Sequence, residues 1–307
     1  MTPLMELRND ILRTLLYYDI WSYPLNAREL YAFLPVNSIT LEQFTEHLAR
    51  EADGSAIVEH DGFYFVAGKT AAVVAERRLR ERHARRLWLG ARLAMHVIKR
   101  FPFVRAVFVS GDLSKHATHP SSDVDFFIIT EPQRLWIARA LLTIFKKIFL
   151  FNRKKFFCLN YFTTTRNLRA DKENIFVATE IATLKPLFNS RLFFKYLNTN
   201  RWIKEYFPNF DVRFVTLPPC SQRPSILQKV FELPFTLFDA SALDERIMHM
   251  MERVWRKRYP MFDEMTHQRL FKCKPDESTA HVGNFENKVL TSYRQRLTSF
   301  GLASQEE

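Results

Sequence analysis

Two aspartates stand one residue apart at the start of an apolar run, in the stretch DVDFFIIT (123–130). In a strand, residues i and i+2 project from the same face, so we expect Asp123 and Asp125 to point together. Two carboxylates that close repel each other unless a cation compensates them. Hard oxygen ligands suit Mg²⁺, which also keeps water ligands and bridges carboxylates to substrate phosphates. The pair therefore predicts a metal site; the alternative is the polar start of an ordinary strand.

A glycine precedes the aspartates by one loop, at the end of the apolar run VRAVFVS. Because the chain has 7 glycines in all, Gly111 at a strand end is informative. A glycine there lets the backbone approach a phosphate closely, and the N–H groups of the next turn can bind it. Ser114 and Lys115 follow in that turn and can add contacts to a triphosphate. These residues predict a phosphate site beside the metal site.

The whole arrangement resembles the signature of the DNA polymerase β-like nucleotidyltransferase superfamily. It runs from Gly111-Asp112 through ten residues to Asp123-Val124-Asp125, and Ser122 and Lys115 add to the similarity. The resemblance implies Mg²⁺-dependent transfer of NMP from an NTP to an acceptor. It assigns the metal ions to Asp123 and Asp125, and it assigns to Lys115 the stabilisation of charge on the leaving pyrophosphate. The chain also resembles bacterial proteins in which such a domain follows a winged-helix-like segment.

The chain departs from that family at two positions. Asp112 follows the glycine where the family usually has Ser or Gly, and an anion there repels phosphates unless it joins the metal or turns outward. Asn160, expected to share a strand face with Cys158 and Phe162, stands where the family often has a third carboxylate. Asparagine cannot act as a general base. Either Glu180 is the base, or metal activation suffices, or catalysis is lost.

The resulting hypothesis has a catalytic set of Asp123, Asp125 and Lys115, with Mg²⁺ as cofactor. The nucleotide-binding set has six members: Gly111, Asp112, Ser114, Ser122, Asn160 and Glu180. The acceptor is open between RNA, a small molecule and a protein side chain. The alternative function is a catalytically inactive nucleotidyltransferase-fold protein that acts as a nucleic-acid-binding or interaction module. No G-x-S-x-G, Walker A or G-x-G-x-x-G motif occurs, which argues against hydrolase, P-loop and Rossmann classes.

The net charge, the cysteine content and the apolar segments of the chain indicate which classes of partner and which compartment to expect. The formal net charge of +12 favours an anionic partner, including nucleic acid, although excess Lys and Arg can also be plain surface. The 3 cysteines form no CxxC pair and no secretory signal opens the chain, so we expect a cytoplasmic protein. The apolar segment 135–151 is interrupted by Arg139, Lys146 and Lys147, so it predicts a helix on a sheet and no membrane partner.

The pattern along the chain predicts an α+β protein in four parts. Residues 1–70 read as three helices and a hairpin, a winged-helix-like domain, with capping boxes at Asn26 and Thr40 and a turn at Asp61-Gly62. The third helix is mostly acidic, so contact with DNA or with protein stays open. Residues 71–100 read as a basic helical linker, 101–220 as the nucleotidyltransferase core with a mixed sheet, and 221–307 as a helical C-terminal region.

Overall fold

A computed structural model describes residues 3–36, 39–52, 54–152, 155–214, 217–223, 225–280 and 283–303. The first 70 residues form three helices and a three-stranded antiparallel sheet of order β1-β3-β2. The elements are α1 (Pro3–Asp19), β1 (Leu25–Asn26), α2 (Ala27–Ala32), α3 (Leu41–Glu51), β2 (Ile57–His60) and β3 (Phe63–Val66). Both expected capping boxes are confirmed, at Asn26 with Glu29 and at Thr40 with Gln43. The β2–β3 turn is the expected one, with Asp61 and Gly62 at φ values of 54° and 78°.

A second sheet has six strands in the order β7-β4-β5-β6-β9-β8. The strands are β4 (Val104–Ser110), β5 (Asp125–Thr130), β6 (Cys158–Thr164), β7 (Lys185–Phe188), β8 (Phe271–Lys274) and β9 (Glu277–Ala280). The β5–β6 pair is parallel and the other pairs are antiparallel. A parallel pair needs a crossover, which α6 (Leu135–Phe149) supplies. The mixed sheet with flanking helices agrees with the expected α+β class.

The remaining helices precede, connect and follow these strands. They are α4 (Ala72–Ile98), α5 (Gly111–Ser114), α7 (Ile175–Thr183), α8 (Ser190–Thr199), α9 (Ile203–Tyr206), α10 (Ile226–Glu232), α11 (Ala240–Arg258), α12 (Glu264–Leu270) and α13 (Phe285–Ser299). Two short 3₁₀ turns cover Val212–Phe214 and Leu233–Thr236. Within the described ranges, each helix is too short or too polar to cross a bilayer.

Alternation along β4 and β5 divides the core in two. One face carries Val107 and Phe126 and is covered by α4, α6 and α11. The other carries Phe108 and Phe127 and is covered by α7, α8, α9 and α13, together with the N-terminal helices. Because side chains alternate along a strand, neighbouring residues necessarily serve different cores. The N-terminal segment thus shares a core with the second sheet.

Two regions differ from the pattern expected for them. The segment expected as a linker is a 27-residue helix, α4, and its inner face packs into the core with residues such as Leu87 and Trp88. The region expected to be helical also supplies β8 and β9, which extend the main sheet. These strands have four residues each and are mostly polar, so they lack the apolar run that marks a buried strand.

Candidate functional site

The site begins where β4 ends and β5 starts, with Ser110 directly opposite Asp125 in the antiparallel pair. Gly111 follows with a φ of +65°, in the left-handed region that favours glycine. A Cβ on Gly111 would lie 2.6 Å from Oδ2 of Asp125. The glycine is therefore required by the aspartate itself, since any other residue would push the carboxylate away.

Asp123 and Asp125 line the same cavity, as their i, i+2 spacing predicted. Regular strand structure starts at Asp125, two residues later than expected. The intervening Val124 is fully buried, and its backbone already pairs with the segment leading into β6. Its N–H donates to the Lys155 carbonyl at 2.9 Å, and its carbonyl accepts from the Cys158 N–H at 3.1 Å. This pairing fixes the direction in which the two aspartates project.

Burial and the neighbouring carboxylates change the acidity of Asp125. Burial raises the pKa of Asp125 to about 6, and the charges of Asp112, Asp123 and Glu180 act in the same direction. The Cys158 thiol opposes this shift through a hydrogen bond to the Asp125 side chain. Burial, followed by the charge of Asp125, in turn raises the pKa of Cys158, so its thiol remains neutral. The site carries more negative charge than its immediate neighbours compensate.

Lys115 and Glu180 form an ion pair in the wall of this cavity. Nζ of Lys115 lies 2.7 Å from Oε1 of Glu180 and 3.3 Å from the Gly111 carbonyl oxygen. Both side chains line the cavity that contains the aspartates. The structure therefore brings the candidate base and the candidate cation into one partly buried ion pair, which the sequence did not predict.

Asp112 is exposed and has a local hydrogen-bond partner. Its Oδ2 accepts a hydrogen bond from the Ser122 hydroxyl at 2.7 Å, and the Ser122 oxygen accepts one from the His119 N–H at 2.9 Å. Asp112 lines the cavity, whereas Ser122 lies outside its lining. These bonds close the loop between α5 and Asp123, so the two residues help to position the first aspartate.

Of the other predicted residues, Asn160 lines the cavity and Ser114 does not. Ser114 is buried outside the cavity lining, and its hydroxyl donates to the Gly111 carbonyl at 2.8 Å. Asn160 lines the cavity at the point where the β5–β6 register shifts by one residue. Because of that shift, Tyr161 shares the face of Phe127, with the two rings stacked 4.5 Å apart. Phe162 packs in the opposite core, so it does not share the face of Cys158 as expected.

The cavity measures about 490 Å³ and extends well beyond the predicted residues. Its wall includes the aromatic side chains of Phe127, Tyr161 and Tyr196. Residues from distant parts of the chain also line it: Tyr18, Trp21, Tyr23, Arg269, Lys272 and Phe285. The Tyr23 hydroxyl donates to the Lys115 carbonyl at 2.8 Å, which joins the N-terminal segment to the site. No local motif marks these residues, because the fold alone brings them together.

The donor set limits which metals the site could hold. Within the described part of the chain, no three His, Cys, Asp or Glu side chains form a complete metal site. Zinc sites need such a set, whereas Mg²⁺ is commonly held by one or two carboxylates and completes its shell with water and substrate phosphates. Asp123 and Asp125 therefore do not fit a zinc site, and the remaining pattern to test is the second, with few carboxylates.

Comparisons with models of protein families, with curated proteins and with solved structures gave no significant match.

Proposed function

We propose that this protein is a Mg²⁺-dependent nucleotidyltransferase, which moves NMP from an NTP to an acceptor hydroxyl, phosphate or amine. The observation that carries the proposal is the uncompensated carboxylate pair at the end of the cavity. Asp125 is held with a pKa of about 6 next to Asp123, and its carboxylate lies so close to Gly111 that only a glycine leaves space for it. Such a cluster costs stability in the free protein, which suggests that it serves to bind a cation.

Asp123 and Asp125 would hold the ion, which when bound neutralises substrate phosphates and polarises the reacting oxygen. The aromatic wall of Phe127 and Tyr161 offers a flat apolar surface for a base. A volume of about 490 Å³ is in the range of small-molecule sites, and a nucleotide is a ligand of that class.

The Lys115–Glu180 pair supplies the remaining groups. An acceptor oxygen or nitrogen attacks the α-phosphorus, a bond to phosphorus forms, the α–β anhydride bond breaks, and pyrophosphate leaves. Lys115 places its positive charge on the cavity wall, where it stabilises charge that develops on the leaving group. Glu180, a carboxylate held by that ammonium, receives the proton of the acceptor.

One observation favours the alternative of a binding module that retains the fold. The strand beside Asp125 presents Asn160 to the cavity in place of a third carboxylate, and Lys115 is already paired. A protein of this kind would bind a nucleotide or a nucleic acid without turnover.

Incubation with each α-labelled NTP and Mg²⁺ tests the proposal, with pyrophosphate release and nucleotide binding measured in parallel. Asp123→Asn and Asp125→Asn should abolish release, and Asp61→Asn, at an exposed turn, should retain it. Wild-type binding without release would favour the binding module. If the wild type and both site variants bound nucleotide equally and released no pyrophosphate, Asp123 and Asp125 would have no part in the binding. That result would contradict both the nucleotidyltransferase and a binding module that uses this cavity.

A further inference from the structure

The end of α6 and the turn after it expose large apolar side chains. Phe149 is 64% exposed, Phe151 82% and Ile148 60%. Phe156, beyond the turn, is also exposed. Single exposed apolar residues are ordinary, but several together on one surface indicate an interaction site.

Helix α4 continues this surface. The ring of Phe156 lies over Gly90, so closely that a Cβ there would be 2.6 Å from a ring carbon. Leu89 and Leu93, on either side of this contact, are 63% and 62% exposed. We call the surface made by Leu89, Leu93, Ile148, Phe149, Phe151 and Phe156 the α4–α6 surface.

Basic residues surround the α4–α6 surface, and acidic ones are absent from its sequence neighbourhood. No Asp or Glu occurs from Arg82 to Gly111 or from Pro132 to Ala170. Four exposed arginines lie within one or two turns of Leu89, on its side of the helix: Arg82, Arg85, Arg86 and Arg92. Three lysines, Lys146, Lys147 and Lys155, belong to the α6 side. Much of the net charge of +12 is therefore concentrated beside this apolar surface.

We propose that the α4–α6 surface binds the face of an anionic membrane. A second copy of this chain would bring two strongly basic surfaces together, which electrostatic repulsion opposes. A nucleic acid would pair with the arginines, but it would leave the aliphatic side chains of Leu89, Leu93 and Ile148 in water. An anionic bilayer satisfies both features, because basic groups meet its headgroups while apolar side chains enter the boundary of the acyl chains.

This binding differs from the membrane span that the interrupted sequence of α6 argued against. The helix packs along the sheet through residues such as Trp136 and Leu142, and only its outer side and end face solvent. The expectation from the sequence was no membrane partner, argued from the charges that keep α6 from spanning a bilayer, and the surface contact proposed here departs from that expectation. The apolar residues of α6 therefore serve two purposes, core packing on one side and lipid contact on the other.

The α4–α6 surface also adjoins the candidate site. The Lys155 carbonyl accepts the hydrogen bond of Val124, the residue between the two aspartates. A protein bound through this surface would hold its cavity close to the bilayer, where a lipid-linked acceptor could reach it. The membrane contact itself does not depend on the proposed reaction, because it is measured without a nucleotide.

Co-sedimentation of the full chain with vesicles tests the proposal, using phosphatidylcholine alone or mixed with phosphatidylserine. We expect binding to the mixed vesicles that weakens as salt is added. The double variant Arg86→Gln/Arg92→Gln should bind about 25-fold more weakly, at about fivefold for each charge. Phe149→Gln/Phe151→Gln should lose about tenfold or more, since its apolar contact is removed.

A matched control lies at the opposite end of the sheet, near the start of β4. Leu233 and Leu237 are 64% and 83% exposed, as much as the two phenylalanines. Both leucines belong to a second exposed apolar segment, residues 226–239, whose charges are Lys229 against Glu232 and Asp239, so it lacks the basic surroundings of the α4–α6 surface. Leu233→Gln/Leu237→Gln should therefore bind vesicles as the wild type does. Equal loss in this control, or equal binding to both vesicle types, would overturn the proposal. So would binding of an oligonucleotide in place of vesicles, or a dimer that the phenylalanine variant abolishes.

Discussion

Asp125 keeps its proton to a higher pH in the folded protein than in the unfolded chain, because burial raises its pKa from 3.8 to about 6. Between these values the folded state binds more protons, so the free energy of unfolding must fall as the pH rises through this window. The fall is about 3 kcal/mol at most. Urea unfolding at a series of pH values should show a smaller fall in Asp125→Asn. Asp244, whose pKa burial also raises to about 6, adds a second contribution of the same sign. If the pH dependence of the unfolding free energy were the same in Asp125→Asn as in the wild type, the raised pKa could not belong to Asp125.

The effect of Mg²⁺ on thermal stability gives a second prediction at this site, and Asp244 provides its control. Its carboxylate accepts a hydrogen bond from the Ile137 N–H at 2.8 Å and lies outside the cavity lining. Mg²⁺ should raise the Tm of the wild type at neutral pH, because the ion binds the folded state and neutralises Asp123 and Asp125. Asp125→Asn should lose this gain, and Asp244→Asn should keep it. An equal gain in all three proteins, measured by calorimetry, would place the ion elsewhere.

Gly111→Ala tests the close contact behind the aspartate. The substitution forces an L-residue to a φ of +65° and places a Cβ 2.6 Å from Asp125 Oδ2. We expect a loss of about 1–3 kcal/mol of stability from the backbone strain and complete loss of the Mg²⁺-dependent gain in Tm. Gly62→Ala, at a φ of +78° with nothing within 4 Å, should cost stability alone. A Mg²⁺ response in Gly111→Ala equal to that of the wild type would show that the glycine does not shape the site.

At the scale of elements, α4 is joined to the N-terminal segment by a buried arginine. Arg77 is 3% exposed, and its guanidinium forms two hydrogen bonds of 2.7 Å with Glu29 and one of 2.9 Å with Glu81. Its guanidinium carbon also lies 4.4 Å from the centre of the Tyr23 ring. Arg77→Met would leave Glu29 and Glu81 without their cation. Because water reaches both carboxylates, we expect the free energy of unfolding to fall by roughly 1.5–3 kcal/mol.

The neighbouring Arg78 provides the comparison for Arg77→Met. Arg78 pairs with Asp61 at 2.9 Å, and both side chains are 49% exposed. Exposed pairs of this kind contribute less than about 1 kcal/mol, so Arg78→Met should be nearly neutral in urea unfolding. Equal effects of the two substitutions would mean that the buried network does not hold α4 to the N-terminal segment.

The sequence predicted the elements whose signals are local. The capping boxes at Asn26 and Thr40, the turn at Asp61, the strands β4 to β6 and the crossover helix α6 all depend on residues within a few positions of each other. The β8–β9 hairpin was missed because β8 contributes a single buried apolar residue, Phe271, while the buried residues of β9, Glu277 to Thr279, are polar and pair with β6. Its Pro275-Asp276 turn was the one local signal that could have marked it.

The candidate site follows the same rule. The i, i+2 aspartates and the glycine turn were readable in the sequence, because a strand and a tight turn fix their directions. The Lys115–Glu180 pair joins residues 65 positions apart, so no periodicity could indicate it. The face of Tyr161 could not be assigned either, because a one-residue register shift at Asn160 reverses the alternation that a sequence pattern assumes.

At the scale of the whole molecule, the two sheets are joined through one core. Leu16 and Phe44 of the N-terminal segment belong to the same buried cluster as Phe108 and Phe127 of the main sheet. Because buried side chains of both parts belong to this one cluster, we expect the N-terminal segment and the main sheet to unfold in a single step. Hydrogen exchange measured by mass spectrometry at increasing urea should show β3 and β5 losing protection at one midpoint. Two separate midpoints, with β3 opening first, would mean that residues 1–70 fold as an independent domain. In that case the contacts of Tyr23 and Arg77 would be docking contacts between domains.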